Sequence, residues 1–122
     1  MVCFVRDKRE REKIAREILS ALPDWFGLPE STARYVRESC EQPFWAELED
    51  GAARGFITLK ETSRYTAEIA VMGVLPEYHR RGVGRALFEA LHGYAGEHGY
   101  AFLQVKTVQE GRYAEYDRTN AF

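Results

Sequence analysis

A chain of 122 residues, 45% hydrophobic and 30% charged, has the composition of one soluble globular domain with a modest core, expected to span residues 1–122. A formal net charge of −2 argues against a nucleic-acid partner held by a general positive field. No run of about 18 apolar residues is present to cross a membrane, and the N-terminal MVCFVRDKREREK lacks the apolar centre of a signal peptide, so no membrane partner and a cytoplasmic location are expected.

The first apolar run, Val2 to Val5, predicts a short strand at a sheet edge. Lys8 to Leu22 then reads as a helix, with Ile14, Ile18, Leu19 and Leu22 on one face and KREREK as its solvated side. The mixed sign of that charge run favours a surface helix over a nucleic-acid contact. Cys3 and Cys40 form no metal or redox spacing and read as free thiols. Pro23 to Pro29 is a loop carrying Trp25 and Phe26, and Ser31 is expected to cap a second helix from Thr32 to Cys40.

Phe44 to Leu48 and Ala53 to Glu61 read as strands joined by a hairpin turn at Glu49-Asp50-Gly51. A turn at Thr62 to Tyr65 leads into a third strand, Ala67 to Leu75, so the three form an antiparallel meander. Pro76 ends the last strand. From Val83 the apolar spacing turns helical, with Val83, Leu87 and Leu91 in register, and Gly99 stops this helix as a C-cap would. Ala101 to Val108 is another strand. A helical crossover precedes it, which implies parallel pairing with the Ala67 strand. The remaining EGRYAEYDRTNAF could open a further helix near Arg112.

The turn His79-Arg80-Arg81-Gly82-Val83-Gly84 has the physics of an anion site. It opens a helix, whose first N–H groups lack intrahelical partners and carry partial positive charge. Gly82 and Gly84 allow close approach to the backbone, and Arg80, Arg81 and Arg85 add full charges. The P-loop pattern fails because Arg85-Ala86 follows the last glycine where Lys-Ser/Thr is required. The dinucleotide fingerprint fails because Leu87 stands where its third Gly or Ala belongs.

This strand, loop and helix resemble the GNAT superfamily of acetyl-CoA-dependent N-acetyltransferases, whose pyrophosphate motif is Gln/Arg-x-x-Gly-x-Gly/Ala. His79 takes the place of its first residue, while the glycines fall on Gly82 and Gly84. The order of the other elements agrees over the whole chain. The resemblance implies an α/β (α+β) fold, with a mixed, mostly antiparallel twisted sheet flanked by helices. GNAT proteins continue past a sequence like Asn120-Ala121-Phe122 with a Tyr, the rest of a helix and two more strands. These residues are missing here, so the sheet is expected to be C-terminally incomplete. Either the product is shortened or another chain completes the sheet. An open strand edge of that kind invites pairing, and a homodimer is expected.

The resemblance further implies acetyl-CoA as co-substrate and no metal. His79, His92 and His98 show no ligand spacing. The pyrophosphate would sit on Arg80, Arg81, Gly82, Val83, Gly84 and Arg85, and the pantetheine arm along the backbone of Met72, Gly73 and Val74. A backbone N–H near Met72 or Gly73 would polarise the thioester carbonyl. Asn120 matches an Asn that contacts the coenzyme. Tyr113 and Tyr116 match no general acid of the family.

Glu68 occupies the place of the catalytic Glu of the histone-acetyltransferase branch. Strict alternation would put Glu68, Ala70, Met72 and Val74 on one face. A carboxylate at the margin of an apolar cleft suits proton abstraction from an amine. A solvated strand-end Glu is the plainer reading, and for Glu77 a surface role is favoured. Trp25 and Phe26 border the acceptor by resemblance, or simply cover the core. The acceptor is a primary amine on a small molecule or peptide. The competing function is a non-catalytic CoA-binding fragment, completed by strand exchange.

Overall fold

The computed structural model describes residues 1–22, 29–78 and 81–105, of which 29–32 and 105 are defined by backbone alone. The elements in chain order are β1 (Val2–Phe4), α1 (Lys8–Ser20), α2 (Pro29–Cys40), β2 (Phe44–Glu49), β3 (Ala52–Ser63), β4 (Thr66–Val74), α3 (Val83–Glu97) and β5 (Phe102–Val105). A 3-10 turn, Pro76–Tyr78, separates β4 from the loop before α3.

The sheet has the order β1-β2-β3-β4-β5. Its first three pairings are antiparallel and β4 pairs with β5 in parallel, over Thr66↔Phe102 to Ile69↔Val105. The meander and the parallel crossover are therefore as expected. The hairpin between β2 and β3 turns on Asp50 and Gly51, both with positive φ (52° and 81°). That pair of angles is the primed turn whose twist matches the flanking strands. Gly99, at φ 79°, follows α3 as its stop.

Helices cover both faces. Ile14, Ile18 and Leu19 of α1 and Val36 of α2 pack with Phe44, Ala46, Phe56 and Val71 on one side. Leu87, Phe88, Leu91 and Ala95 of α3 pack with Trp45, Ile57, Leu59 and Ile69 on the other. Central strands that must serve both layers are apolar on both faces, which is why β2 begins with three buried apolar residues, Phe44, Trp45 and Ala46.

Two expectations change, and one cap is new. Helix α2 begins at Pro29, so Ser31 lies inside it and is not its cap; proline's fixed φ is suited to a first helical turn. Helix α1 is capped by Asp7, whose carboxylate accepts from the Arg9 N–H at 3.0 Å. Within KREREK, Arg11 is not a solvated residue. Its Nε donates to Val5 O at 2.7 Å and its Nη1 to Cys40 O at 3.1 Å, tying β1 and the C-terminus of α2 to α1. The expected residues Lys106 to Val108 and the helix near Arg112 lie outside the described residues, as do Tyr113 and Tyr116.

Candidate active site

Strand β4 carries an irregularity at its centre. Thr58 of β3 pairs with Val71 and Leu59 with Ile69, so Ala70 is an extra residue, a β-bulge. Ala67 and Ile69 pack in the α3 layer, Ala70 and Val71 in the α1/α2 layer, and Met72 and Val74 again in the α3 layer. Strict alternation is thus broken. Glu68, between Ala67 and Ile69, faces the α1/α2 layer, whereas Met72 and Val74 face α3.

The main chain follows the same parity. The Leu75 N–H donates to Arg54 O of β3 at 2.9 Å. Counting back in steps of two, Gly73 and Val71 also direct N–H and C=O towards β3, and Met72 and Val74 direct theirs towards the β5 side. Gly73 is needed for packing as well. A Cβ there would lie 3.1 Å from Ile18 Cγ2 and 3.4 Å from Leu22 Cδ1.

Helix α3 starts beside this stretch. A Cβ on Gly84 would lie 3.1 Å from Met72 Cε and 3.9 Å from Val74 Cγ2. The missing side chain lets the first turn of the helix approach β4. Gly82 is the N-cap, in the left-handed region at φ 82°, and supplies no side-chain cap. The first intrahelical bond runs from Ala86 N–H to Gly82 O at 3.0 Å. The N–H groups of Val83, Gly84 and Arg85 therefore precede the helical ladder. The first turn holds no acidic residue, and Arg81 and Arg85 are exposed around it. Arg85 Nε also contacts Glu89 Oε1 at 3.4 Å, one helical turn along.

Among the described residues, a Cβ on Gly82 would meet nothing within 4 Å. Gly82→Ala is expected to lower stability by about 1–2 kcal/mol, through left-handed backbone strain alone. A thermal melt measures it; an unchanged midpoint would mean that the turn has another available conformation.

The loop before the helix is held from behind. The Arg81 N–H donates to Tyr78 O at 3.3 Å, and the Arg54 guanidinium lies 5.0 Å from the centre of the Tyr78 ring. Arg54 Nη2 in turn contacts the buried Glu47 Oε1 at 2.8 Å. Sequence reading missed this pair; a Glu inside the apolar run Phe44 to Leu48 was the available signal.

His79 and Arg80 lie outside the described residues, as do Asn120, Trp25 and Phe26. The structure brings Met72, Val74, Gly82, Val83, Gly84 and Arg85 to one end of β4, on its α3 side. Glu68 stands towards the other end of the strand and on the opposite face, beside Lys60 and Gln104 in register. Among the described residues no group of His, Cys, Asp and Glu could hold a metal ion, and no helix is long and apolar enough to cross a membrane.

The model of the acetyltransferase (GNAT) family matches residues 12–122. The chain belongs to the GNAT acetyltransferase family. Acyl transfer is the chemistry of that family, and the solved structures agree on the fold. An acetyltransferase of the GNAT family from Desulfovibrio desulfuricans superposes with a TM-score of 0.79 at 21% identity, over 99% of this chain and 82% of that one. The ribosomal-protein-S18-alanine N-acetyltransferase of Escherichia coli gives 0.75 at 20% identity, over 99% and 76% of the two chains. The PaiA N-acetyltransferase of Thermoplasma acidophilum, solved in complex with coenzyme A, gives 0.71 at 15% identity, over 99% and 88%. No curated protein matches the sequence at a significant level.

Proposed function

We propose that this GNAT protein transfers an acetyl group from acetyl-CoA to a primary amine of a small molecule or peptide. The observation that carries the reading is the glycine-led N-terminus of α3, uncapped and without acidic residues, set against the bulged half of β4. An anionic diphosphate fits such a turn because the N–H groups and the helix dipole both favour it. Among the described residues nothing lies within 4 Å of the Cβ position of Gly82.

In this reading Arg80, Arg81, Gly82, Val83, Gly84 and Arg85 hold the diphosphate. Met72 and Val74 offer main-chain groups to the pantetheine arm, with Gly73 between them, and Asn120 adds a contact. Acetyl-CoA supplies an activated acyl carbon and a thiolate leaving group. Glu68 accepts the proton that the amine must lose before its nitrogen can attack. Of the two N–H groups expected there, that of Gly73 is directed to β3, so the Met72 N–H, on the β5 side, stabilises negative charge on the carbonyl oxygen. No metal enters the scheme. The face that Glu68 shares with α1 and α2 is the side of the amine, so the acceptor and the coenzyme approach from opposite faces of β4.

Calorimetric titration with acetyl-CoA, followed by thiol release across a panel of amines, tests the proposal. Binding with release supports it, and binding without release on any amine leaves a CoA-binding protein. Removing both Arg81 and Arg85 side chains, as alanine variants, is expected to weaken CoA binding about tenfold and to flatten its salt dependence, because exposed charge–phosphate contacts are modest and screened. Unchanged affinity would place the diphosphate elsewhere. The homodimer is part of the same proposal, since β5 is the outer strand of the described sheet; sedimentation velocity reads the state directly.

A further inference from the structure

We propose that Thr58 is a positioning residue for the coenzyme-binding stretch of β4, acting by locking the bulge at Ala70. The inference rests on the coenzyme reading above and assigns a role to a residue on the neighbouring strand.

A bulge disrupts the ladder and leaves a main-chain donor to be satisfied. Beside the bulge the Val71 N–H, in the middle of the sheet, donates to the Thr58 hydroxyl at 3.1 Å. The hydroxyl also makes a longer contact of 3.5 Å to Val71 O. Thr58 is fully buried, one of three polar or charged residues in the described interior. A buried N–H without a partner is costly, so this hydroxyl makes the irregular register tenable. Valine would fill the same space without an acceptor.

What the bulge sets is parity. With Ala70 as the extra residue, Met72 and Val74 turn their side chains to α3, so that Met72 Cε meets the bare Cα side of Gly84. The same step turns the main-chain groups of Met72 and Val74 towards the β5 side. Remove the extra residue and both relations invert, because the strand period is two. The coenzyme edge of β4 and its fit against the phosphate-binding turn thus depend on one hydroxyl on β3.

The experiment compares Thr58→Val and Thr58→Ser with the wild-type chain in CoA calorimetry, thermal melting and amide exchange at Val71. Thr58→Val is expected to bind CoA about tenfold or more weakly and to exchange the Val71 amide faster, as misplacement of a positioned group by an ångström has effects of this size or larger. Thr58→Ser, which keeps the hydroxyl and loses the methyl, is expected to restore affinity to within about threefold, even where its melting point falls with the lost packing. Affinity that follows melting point and not the hydroxyl overturns the inference, as does a Thr58→Val chain that binds like wild type. Should Thr58→Val not fold, the wild-type chain still decides: saturating CoA is expected to slow Val71 exchange about tenfold, and unaltered exchange overturns the link. A wild-type chain that binds no CoA overturns the coenzyme reading itself, and this inference with it.

Discussion

Glu68→Gln is expected to lower kcat by about 10²–10⁴-fold, the usual contribution of a positioned general base. Glutamine keeps the size and the hydrogen-bonding reach of the side chain but cannot take a proton at neutral pH. Glu68 is half-buried, so it is reachable from solvent and still anchored by the strand. Its neighbours in register are Lys60 and Gln104, and both lie on strands that hold β4 in place. The variant is expected to leave CoA affinity unchanged, because the bulge at Ala70 puts Glu68 and Met72 on opposite faces. It should also leave stability within about 0.5 kcal/mol, as for a substitution away from packing and buried pairs. Unchanged kcat would assign the proton to another group.

The local features of this fold were legible because their causes are local. Asp50-Gly51 forms the primed turn from the chemistry of two residues, and Gly99 ends α3 by the same freedom of φ. The glycine-led start of α3 could be read from Arg81 to Arg85 because a helix start, two glycines and basic side chains are consecutive in sequence. What failed is non-local. Nothing in Glu-Ile-Ala-Val-Met-Gly-Val marks Ala70 as an extra residue; the group that makes it tenable is Thr58, on another strand and thirteen positions before the Val71 it bonds. The alternation that grouped Glu68 with Met72 could not be corrected without that pairing. Arg11 looked like one charge among six, yet its acceptors, Val5 O and Cys40 O, come together only when β1 and α2 have folded against α1. Ser31 lost the cap position to a helix beginning at Pro29, a competition between two start signals that sequence alone did not decide.

The second large effect concerns Glu47. Its carboxylate is buried at 6% exposure and accepts from the Met1 amine at 2.6 Å and from Arg54 Nη2 at 2.8 Å. Arg54 Nη1 also contacts Glu49 Oε2 at 2.6 Å, but that carboxylate is more than half exposed. Glu47→Ala is expected to cost about 3 kcal/mol, the lower end for breaking a buried pair, because it leaves a largely buried guanidinium without its inner partner. In a domain of this size the midpoint would fall by roughly 10 °C. Glu49→Ala should cost less than about 1 kcal/mol, since solvent screens that contact. Acid should reproduce the loss. Burial by itself would raise the Glu47 carboxyl, but the hydrogen bonds and charges of the Met1 amine and Arg54 outweigh it and hold it below its ordinary value of 4.5. The unfolded chain then binds more protons in that range, so this stabilisation is complete above about pH 5 and is lost as pH falls below 4.5 through the folded value. A denaturant series from pH 6 to pH 3 should show a shallower slope in Glu47→Ala than in the wild type; parallel slopes would remove Glu47 from the account. The pair also reaches the site. Arg54 stacks on Tyr78, and Tyr78 O holds the Arg81 N–H at the entrance to α3. Under the proposed function, losing Glu47 is therefore expected to raise KM for acetyl-CoA more than it lowers kcat, because the group displaced would hold the diphosphate and not the reacting carbon.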